Sequence, residues 1–244
     1  MKNIVVTGVA KGLGEYIAKR LSKESDSRVI GIDRVKNDDL KPDVKDIISK
    51  YYEFDLTCSA NINGLIDEIY SDINDIDVFI NNAGLKTFGK LTNITDETIK
   101  NTIEVNYIAP VIIIKNLLSR MLKSGKGIII NISSNAAFQG YSEGSIYCSS
   151  KTALNTFTDA INEEISENKR IKVYTLCPST ILTKELLEKY PEANPNKYIS
   201  TERVYKKIDR LIKKGSNKKI IPIISFSQTM KYYFRNIRKV FKGI

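Results

Sequence analysis

The 244-residue chain contains no histidine. Acid/base chemistry near neutral pH therefore lacks its usual side chain. Cysteine is scarce as well: Cys58, Cys148 and Cys177 are odd in number and scattered. Without histidine beside them they suggest neither a zinc site nor a disulfide framework. A reducing cytoplasm is the expected compartment. There is no uninterrupted apolar run of about eighteen residues, so no membrane-spanning helix is expected. The first eight residues hold only a short apolar run before a glycine motif, which does not read as a signal peptide. Internal repeats, low-complexity segments and linkers are also lacking.

Charge is unevenly spread. The net charge is +10, yet residues 203–244 hold 13 of the basic residues and a single acid, Asp209. The preceding 202 residues are close to neutral. The excess positive charge belongs to the end of the chain rather than to its main body.

Short β-branched runs alternate with longer amphipathic stretches. Strands are expected at 3–7, 28–32, 51–54, 77–80, 127–132 and 171–176, with a last one at 219–224. Helices are expected at 13–23, 60–73, 96–122 (curved at Pro110) and 145–168. Strands that alternate with helices and are apolar throughout call for a parallel sheet covered on both faces. The expected architecture is α/β: a Rossmann-like, doubly wound parallel sheet in three α/β/α layers. Residues 1–225 would form one domain and 226–244 an extension.

Thr7-Gly8-Val9-Ala10-Lys11-Gly12-Leu13-Gly14 follows the first strand and opens the first helix. Glycines at Gly8, Gly12 and Gly14 let the backbone turn sharply and approach a pyrophosphate. The helix start, at Leu13, offers free N–H groups and the positive dipole end. Asp33 ends the next strand, nineteen residues past Gly14. A carboxylate there can accept both ribose hydroxyls of NAD and repel a 2′-phosphate. Lys11 and Arg34 could instead meet that phosphate and favour NADP. NAD is preferred, because an unneutralised acid outweighs mobile surface cations.

Ser134, Tyr147 and Lys151 carry the chemistry. Tyr147 and Lys151 are four residues apart on a predicted helix and share one face. An ammonium near a phenol is expected to lower its pKa from about 10 toward working pH. The tyrosine could then exchange a proton with an alcohol or a forming alkoxide. Ser134, at the carboxyl end of the fifth strand, could hydrogen-bond the same substrate oxygen. Phe138, Gln139 and Tyr141 are expected to line the pocket.

Five motifs in order make residues 3–183 resemble a compact, single-domain short-chain dehydrogenase/reductase. They are the glycine turn, Asp55-Leu56-Thr57, Asn81-Asn82-Ala83-Gly84, Asn106 in Val-Asn-Tyr, and Ser134 with Tyr147-x-x-x-Lys151. The resemblance implies an NAD(P)-dependent oxidoreductase that interconverts an alcohol and a carbonyl compound. It implies that Asp55 and Leu56 meet the adenine, and that Asn82, Ala83 and Gly84 pass the ribose. Asn106 would hold a proton-relay water, and Lys151 would also grip the nicotinamide ribose. Pro178, Ile181 and Thr183 would sit beside the nicotinamide amide. Ser179 stands where many relatives have glycine. The resemblance also implies a small-molecule alcohol or carbonyl substrate and a homodimer or homotetramer. No metal is implied.

Residues 184–200 occupy the place of a substrate lid. On a helical wheel, residues 226–244 form a basic amphipathic helix, with Phe226, Met230, Tyr233, Ile237, Val240, Phe241 and Ile244 on one face. Such a helix docks on its own protein or contacts a membrane surface; no nucleic-acid-binding module is recognised. Two other readings stay open: an NAD(H) sensor of the same fold without turnover, and a membrane-surface scaffold built on the tail. A sensor would be marked by loss of the serine, tyrosine or lysine, and all three are present. Epimerases and dehydratases of this fold usually carry a further substrate domain on a longer chain.

Overall fold

The computed structural model describes residues 1–224. Strand β1 (Lys2–Thr7) leads through the glycine turn into α1 (Gly12–Leu21). Next come β2 (Ser27–Asp33), the short α2 (Pro42–Lys45), β3 (Lys50–Glu53), α3 (Ile62–Asp72) and β4 (Val78–Asn81). A long helix follows in two α-helical parts, α4 (Asp96–Ile103) and α5 (Ala109–Ser124). The chain continues through β5 (Gly127–Ile132), α6 (Ser145–Glu164) and β6 (Ile171–Pro178). Then come β7 (Ile181–Leu182), α7 (Lys184–Lys189), β8 (Ile199–Ser200), α8 (Thr201–Lys214) and β9 (Ile220–Ile223).

The main sheet runs in the order β3-β2-β1-β4-β5-β6-β9, and every pair is parallel. Its two faces explain why the strands are apolar at successive positions. In β1, Val5 joins a core with Ile30, Phe79, Ile129 and Val173 under α3, α5 and α6. Its neighbours Ile4 and Val6 point the other way, into a core with Val29, Ile80, Ile130 and Leu176 under α1 and α8. Side chains alternate across a strand, so both faces can be buried only if every position is apolar.

The expected seven strands are all present, but the helices depart from expectation. The segment from 96 to 124 is one helix, as expected, yet its irregularity lies before Pro110. Glu104–Ile108 is a π-helical turn. Proline has no N–H, and its ring crowds the carbonyl four residues earlier, here that of Asn106; the widened turn relieves that clash. Among the described residues this is the one helix long and apolar enough to cross a bilayer. Ile113, Ile114, Leu117, Leu118 and Met121 are buried, as in a core helix of a soluble fold.

Helix α6 stops at Glu164, short of the expected 168, because the chain must turn to enter β6. Asn168 donates to the Ile165 carbonyl and Ile171 to that of Asn168. Helix α8 was not expected. It is capped by Ser200, whose side chain accepts from Arg203 N–H, and it buries Val204, Tyr205, Ile208 and Leu211 against α1. The amphipathic helix expected at 226–244 lies outside the described residues.

Candidate active site

The sheet changes winding direction between β1 and β4. In such sheets a crevice opens at the carboxyl ends of the strands. A cavity of about 830 Å³ lies there, walled by residues that follow β1, β2, β3, β4, β5 and β6.

The glycine turn forms one end. Gly8 and Gly12 have φ of +73° and +62°, values that disfavour a side chain. A Cβ on Gly14 would stand 1.9 Å from the Gly8 carbonyl oxygen, so only glycine lets α1 start this close to β1. Gly14 itself is not in the cavity wall, whereas Gly8, Lys11, Gly12 and Leu13 are. The turn is braced from β4. Asn82 Nδ2 donates to the carbonyls of Thr7 (2.9 Å) and Gly8 (3.2 Å), and the N–H groups of Asn82 and Ala83 both donate to Thr7 Oγ1. Asn82 thus shapes the turn as well as lining the cavity beside Ala83 and Gly84.

Asp33 sits at the end of β2. One carboxylate oxygen accepts from Ala10 N–H (2.9 Å) and the other from Val35 N–H (3.2 Å). Each oxygen has a further lone pair for a ribose hydroxyl. Lys11 and Arg34 line the same end and make no ion pair among the described residues. Asp55 and Leu56 continue the wall with Phe54; Asp55 Oδ1 accepts from the N–H and hydroxyl of Thr57.

The other end holds Ser134, Tyr147 and Lys151, all buried. Ser134 follows β5 and caps the turn after it, accepting from Ala136 N–H at 3.1 Å. The same hydroxyl donates to Asn135 Oδ1 at 3.4 Å and lies close enough to the Tyr147 phenol to affect its proton affinity. Tyr147 and Lys151 lie one turn apart on α6, as the spacing requires.

Their electrostatics differ from the expectation. Burial pushes the Tyr147 phenol above its ordinary pKa, and the nearby Ser134 hydroxyl only partly opposes it. Lys151 does not lower it: its Nζ donates instead to the Ile132 carbonyl at 3.0 Å. Burial pulls the Lys151 ammonium down to about 8. Desolvation disfavours charge on either residue, and with no carboxylate in the pair it outweighs their mutual effect.

Asn106 lies behind the wall rather than in it. Oδ1 accepts from Leu85 N–H (2.8 Å), and Nδ2 donates to the Leu85 carbonyl (2.9 Å) and to Ser150 Oγ (3.0 Å). Its main-chain carbonyl is a further acceptor for a water. The π-turn bears on this, because Pro110 offers no N–H to the Asn106 carbonyl.

Past β6, Pro178, Ile181 and Thr183 line the cavity as expected, and Thr183 caps α7 by accepting from Leu186 N–H. Ser179 is 3% exposed, and its hydroxyl has no hydrogen-bond partner among the described residues. A buried hydroxyl without a partner is uncommon and fits a site completed by a bound group. Together with the glycine turn that a Cβ would fill, it fits a dinucleotide lying from Asp33 to Ser179.

Several wall residues were not foreseen, Phe88, Lys86 and Glu185 among them. Phe88 follows β4, and its ring lies 5.6 Å from that of Tyr147. Lys86 lies two residues before it. Glu185, on α7, accepts from Gly12 N–H at 3.2 Å. Of the three expected pocket residues only Tyr141 is in the wall; Phe138 is 53% exposed, and neither it nor Gln139 belongs there. The loop carrying them turns outward, which residue type alone does not reveal.

The family model for short chain dehydrogenases matches residues 2–194. Ketoacyl reductase HetN of Nostoc sp. is 30% identical over 184 residues, covering 74% of this chain and 63% of that protein. Among solved structures, ElxO with NADP bound is 26% identical at a TM-score of 0.80, covering 91% of this chain and 96% of the other. A 4-hydroxyisoleucine dehydrogenase complexed with NADH and succinate is 25% identical at a TM-score of 0.79, covering 91% and 97%.

Proposed function

The chain belongs to the short-chain dehydrogenase/reductase family of oxidoreductases, and from that membership we propose that it interconverts a carbonyl compound and its alcohol at Tyr147. The observation that carries this reading is that Ser134, Tyr147 and Lys151 are all buried at one end of the cavity, with Tyr147 and Lys151 one turn apart on α6. The dinucleotide would be held by the turn from Gly8 to Gly14, with Asp33 at the adenosine ribose and Ser179, Ile181 and Thr183 at the nicotinamide. Asp33 favours NAD over NADP. A bound nicotinamide supplies or accepts the hydride.

In the reductive direction Tyr147, held protonated by burial, gives its proton to the substrate oxygen as negative charge develops there. Ser134 stabilises the same oxygen by hydrogen bonding. Lys151, with a pKa brought down to about 8, can return a proton to the phenolate near neutral pH. Asn106 acts by holding Leu85, and with it the wall opposite Tyr147. Three free cysteines, two of them buried, fit a cytoplasmic enzyme. A homodimer or homotetramer belongs to the same reading.

The test is NADH and NADPH oxidation over ketones, ketosugars and ketoacyl thioesters, with Tyr147→Phe beside the parent protein. The variant is expected to keep cofactor affinity and lose roughly 10²- to 10⁴-fold in turnover. Full turnover in Tyr147→Phe removes the mechanism.

A further inference from the structure

Charge is divided along the cavity. The charged residues in its wall are Lys11, Asp33, Arg34, Asp55, Lys86, Lys151 and Glu185. All three acids belong to the dinucleotide end: Asp33 and Asp55 follow β2 and β3, and Glu185 is bonded to Gly12. The catalytic end has Lys86 and Lys151 and no carboxylate. Glu143, the acid in the facing loop, gives its carbonyl to Gly89 N–H and is not in the wall.

Lys86 is presented from a backbone held on both sides. The preceding residue, Leu85, has its N–H and carbonyl both bound by Asn106. On the other side, Thr87 is hydrogen-bonded through its hydroxyl to Thr102 on α4. Two residues on, Phe88 lies against Tyr147. The side chain therefore enters the cavity beside the reacting group, from a fixed position. It forms no ion pair or hydrogen bond among the described residues, although water reaches it. Its charge lowers the pKa of the Lys151 ammonium.

Lys86, exposed, and Lys151, buried, place two like charges at this end of the cavity with no carboxylate beside them among the described residues. Such a pair attracts an anion. Lys151 is buried and donates one hydrogen bond to the Ile132 carbonyl, whereas Lys86 is exposed to an incoming anion. We propose that Lys86 is a specificity-determining residue that binds a carboxylate on the substrate, so that the carbonyl compound reduced at Tyr147 is an oxo acid. This rests on the carbonyl–alcohol reading above and narrows its substrate class.

The test pairs 3-oxobutanoate and 4-oxopentanoate with their methyl esters, using the full chain and NADH or NADPH. The parent protein is expected to prefer at least one acid to its ester. In Lys86→Gln, kcat/KM for that acid should fall about 10- to 100-fold more than for the ester, mainly through KM, as for loss of a charge-assisted contact. Lys86→Arg should recover part of the preference. Equal rates for acids and esters in the parent protein overturn the proposal while leaving carbonyl reduction intact, and so does an equal loss on both in Lys86→Gln. If no compound of either kind is turned over, binding takes the place of turnover as the readout. Succinate binding to the protein–NADH complex then decides the anion site by calorimetry: at least 10-fold weaker binding in Lys86→Gln supports it, and unchanged binding overturns it.

Discussion

The backbone N–H of Gly12 donates to the carboxylate of Glu185 across 3.2 Å, joining the glycine turn to helix α7, 173 residues later in the chain. The carboxylate takes a donor at the N-terminus of α1, where a pyrophosphate would also be drawn. Two anions at one helix end compete. Glu185→Gln is therefore expected to bind NADH about 2- to 5-fold more tightly, the range of a single charge at a helix terminus. Fluorescence titration measures it. Weaker binding in the variant means that Glu185 supports the bound cofactor instead of competing with it.

Asp33 combines two tasks, anchoring Ala10 N–H and presenting a negative charge beside Lys11 and Arg34. Asp33→Asn keeps an acceptor and removes the charge. The ratio of NAD(H) to NADP(H) affinity should drop by roughly 10- to 100-fold, as expected when a repelled 2′-phosphate instead meets two cations. The ratio of dissociation constants for the two reduced cofactors reads this directly. An unchanged ratio removes Asp33 as the determinant.

Lys151 makes stability depend on pH. Its pKa is about 8 in the fold and about 10.4 in an unfolded chain. Between those values the unfolded state holds the extra proton, so stability rises with pH across the window and levels off above it. Lys151→Met should lack this rise. The difference between parent and variant in urea denaturation should change by roughly 3 kcal/mol from pH 7.5 to 10.5, in favour of the parent at high pH. Parallel pH profiles for the two proteins contradict a depressed Lys151.

Two glycines should respond oppositely to alanine. At Gly14 the added Cβ meets the Gly8 carbonyl oxygen at 1.9 Å, and backbone must move. At Gly64, inside α3, nothing lies within 4 Å. Gly14→Ala should lower the melting temperature and abolish cofactor binding, at a cost of about 1–3 kcal/mol or more. Gly64→Ala should raise stability by about 0.5–1 kcal/mol through lost chain entropy. Thermal unfolding of both variants checks the contrast.

Much of the fold was legible in the sequence. Ile4, Val5 and Val6 in a row already demanded burial on both faces, and a strand buried on both faces belongs in a covered parallel sheet. The glycine spacing and Asp33 located the switch point. Helix α8 was legible too, since Val204, Ile208 and Leu211 recur at helical spacing behind the capping residue Ser200. Its many lysines and arginines mask that apolar spacing in a reading led by charge. Phe88 and Lys86 had no periodic signal. They follow a strand end, and only the path of that loop turns them toward Tyr147.

The sequence by itself determined the relations that backbone geometry imposes over a few residues. Tyr147 and Lys151 share a helix face because 3.6 residues make a turn, and Gly8, Gly12 and Gly14 permit a turn that other residues forbid. Tertiary structure alone decided how those groups behave. Whether Lys151 lowers the Tyr147 pKa depends on how much water each retains and on which carbonyl the ammonium meets, here that of Ile132. Asn106 became a clamp on Leu85, and Glu185 an occupant of the glycine turn, because strands and helices far apart in the chain converge at one edge of the sheet. Desolvation and long-range contact arise from packing, and packing is not contained in any local spacing of residues.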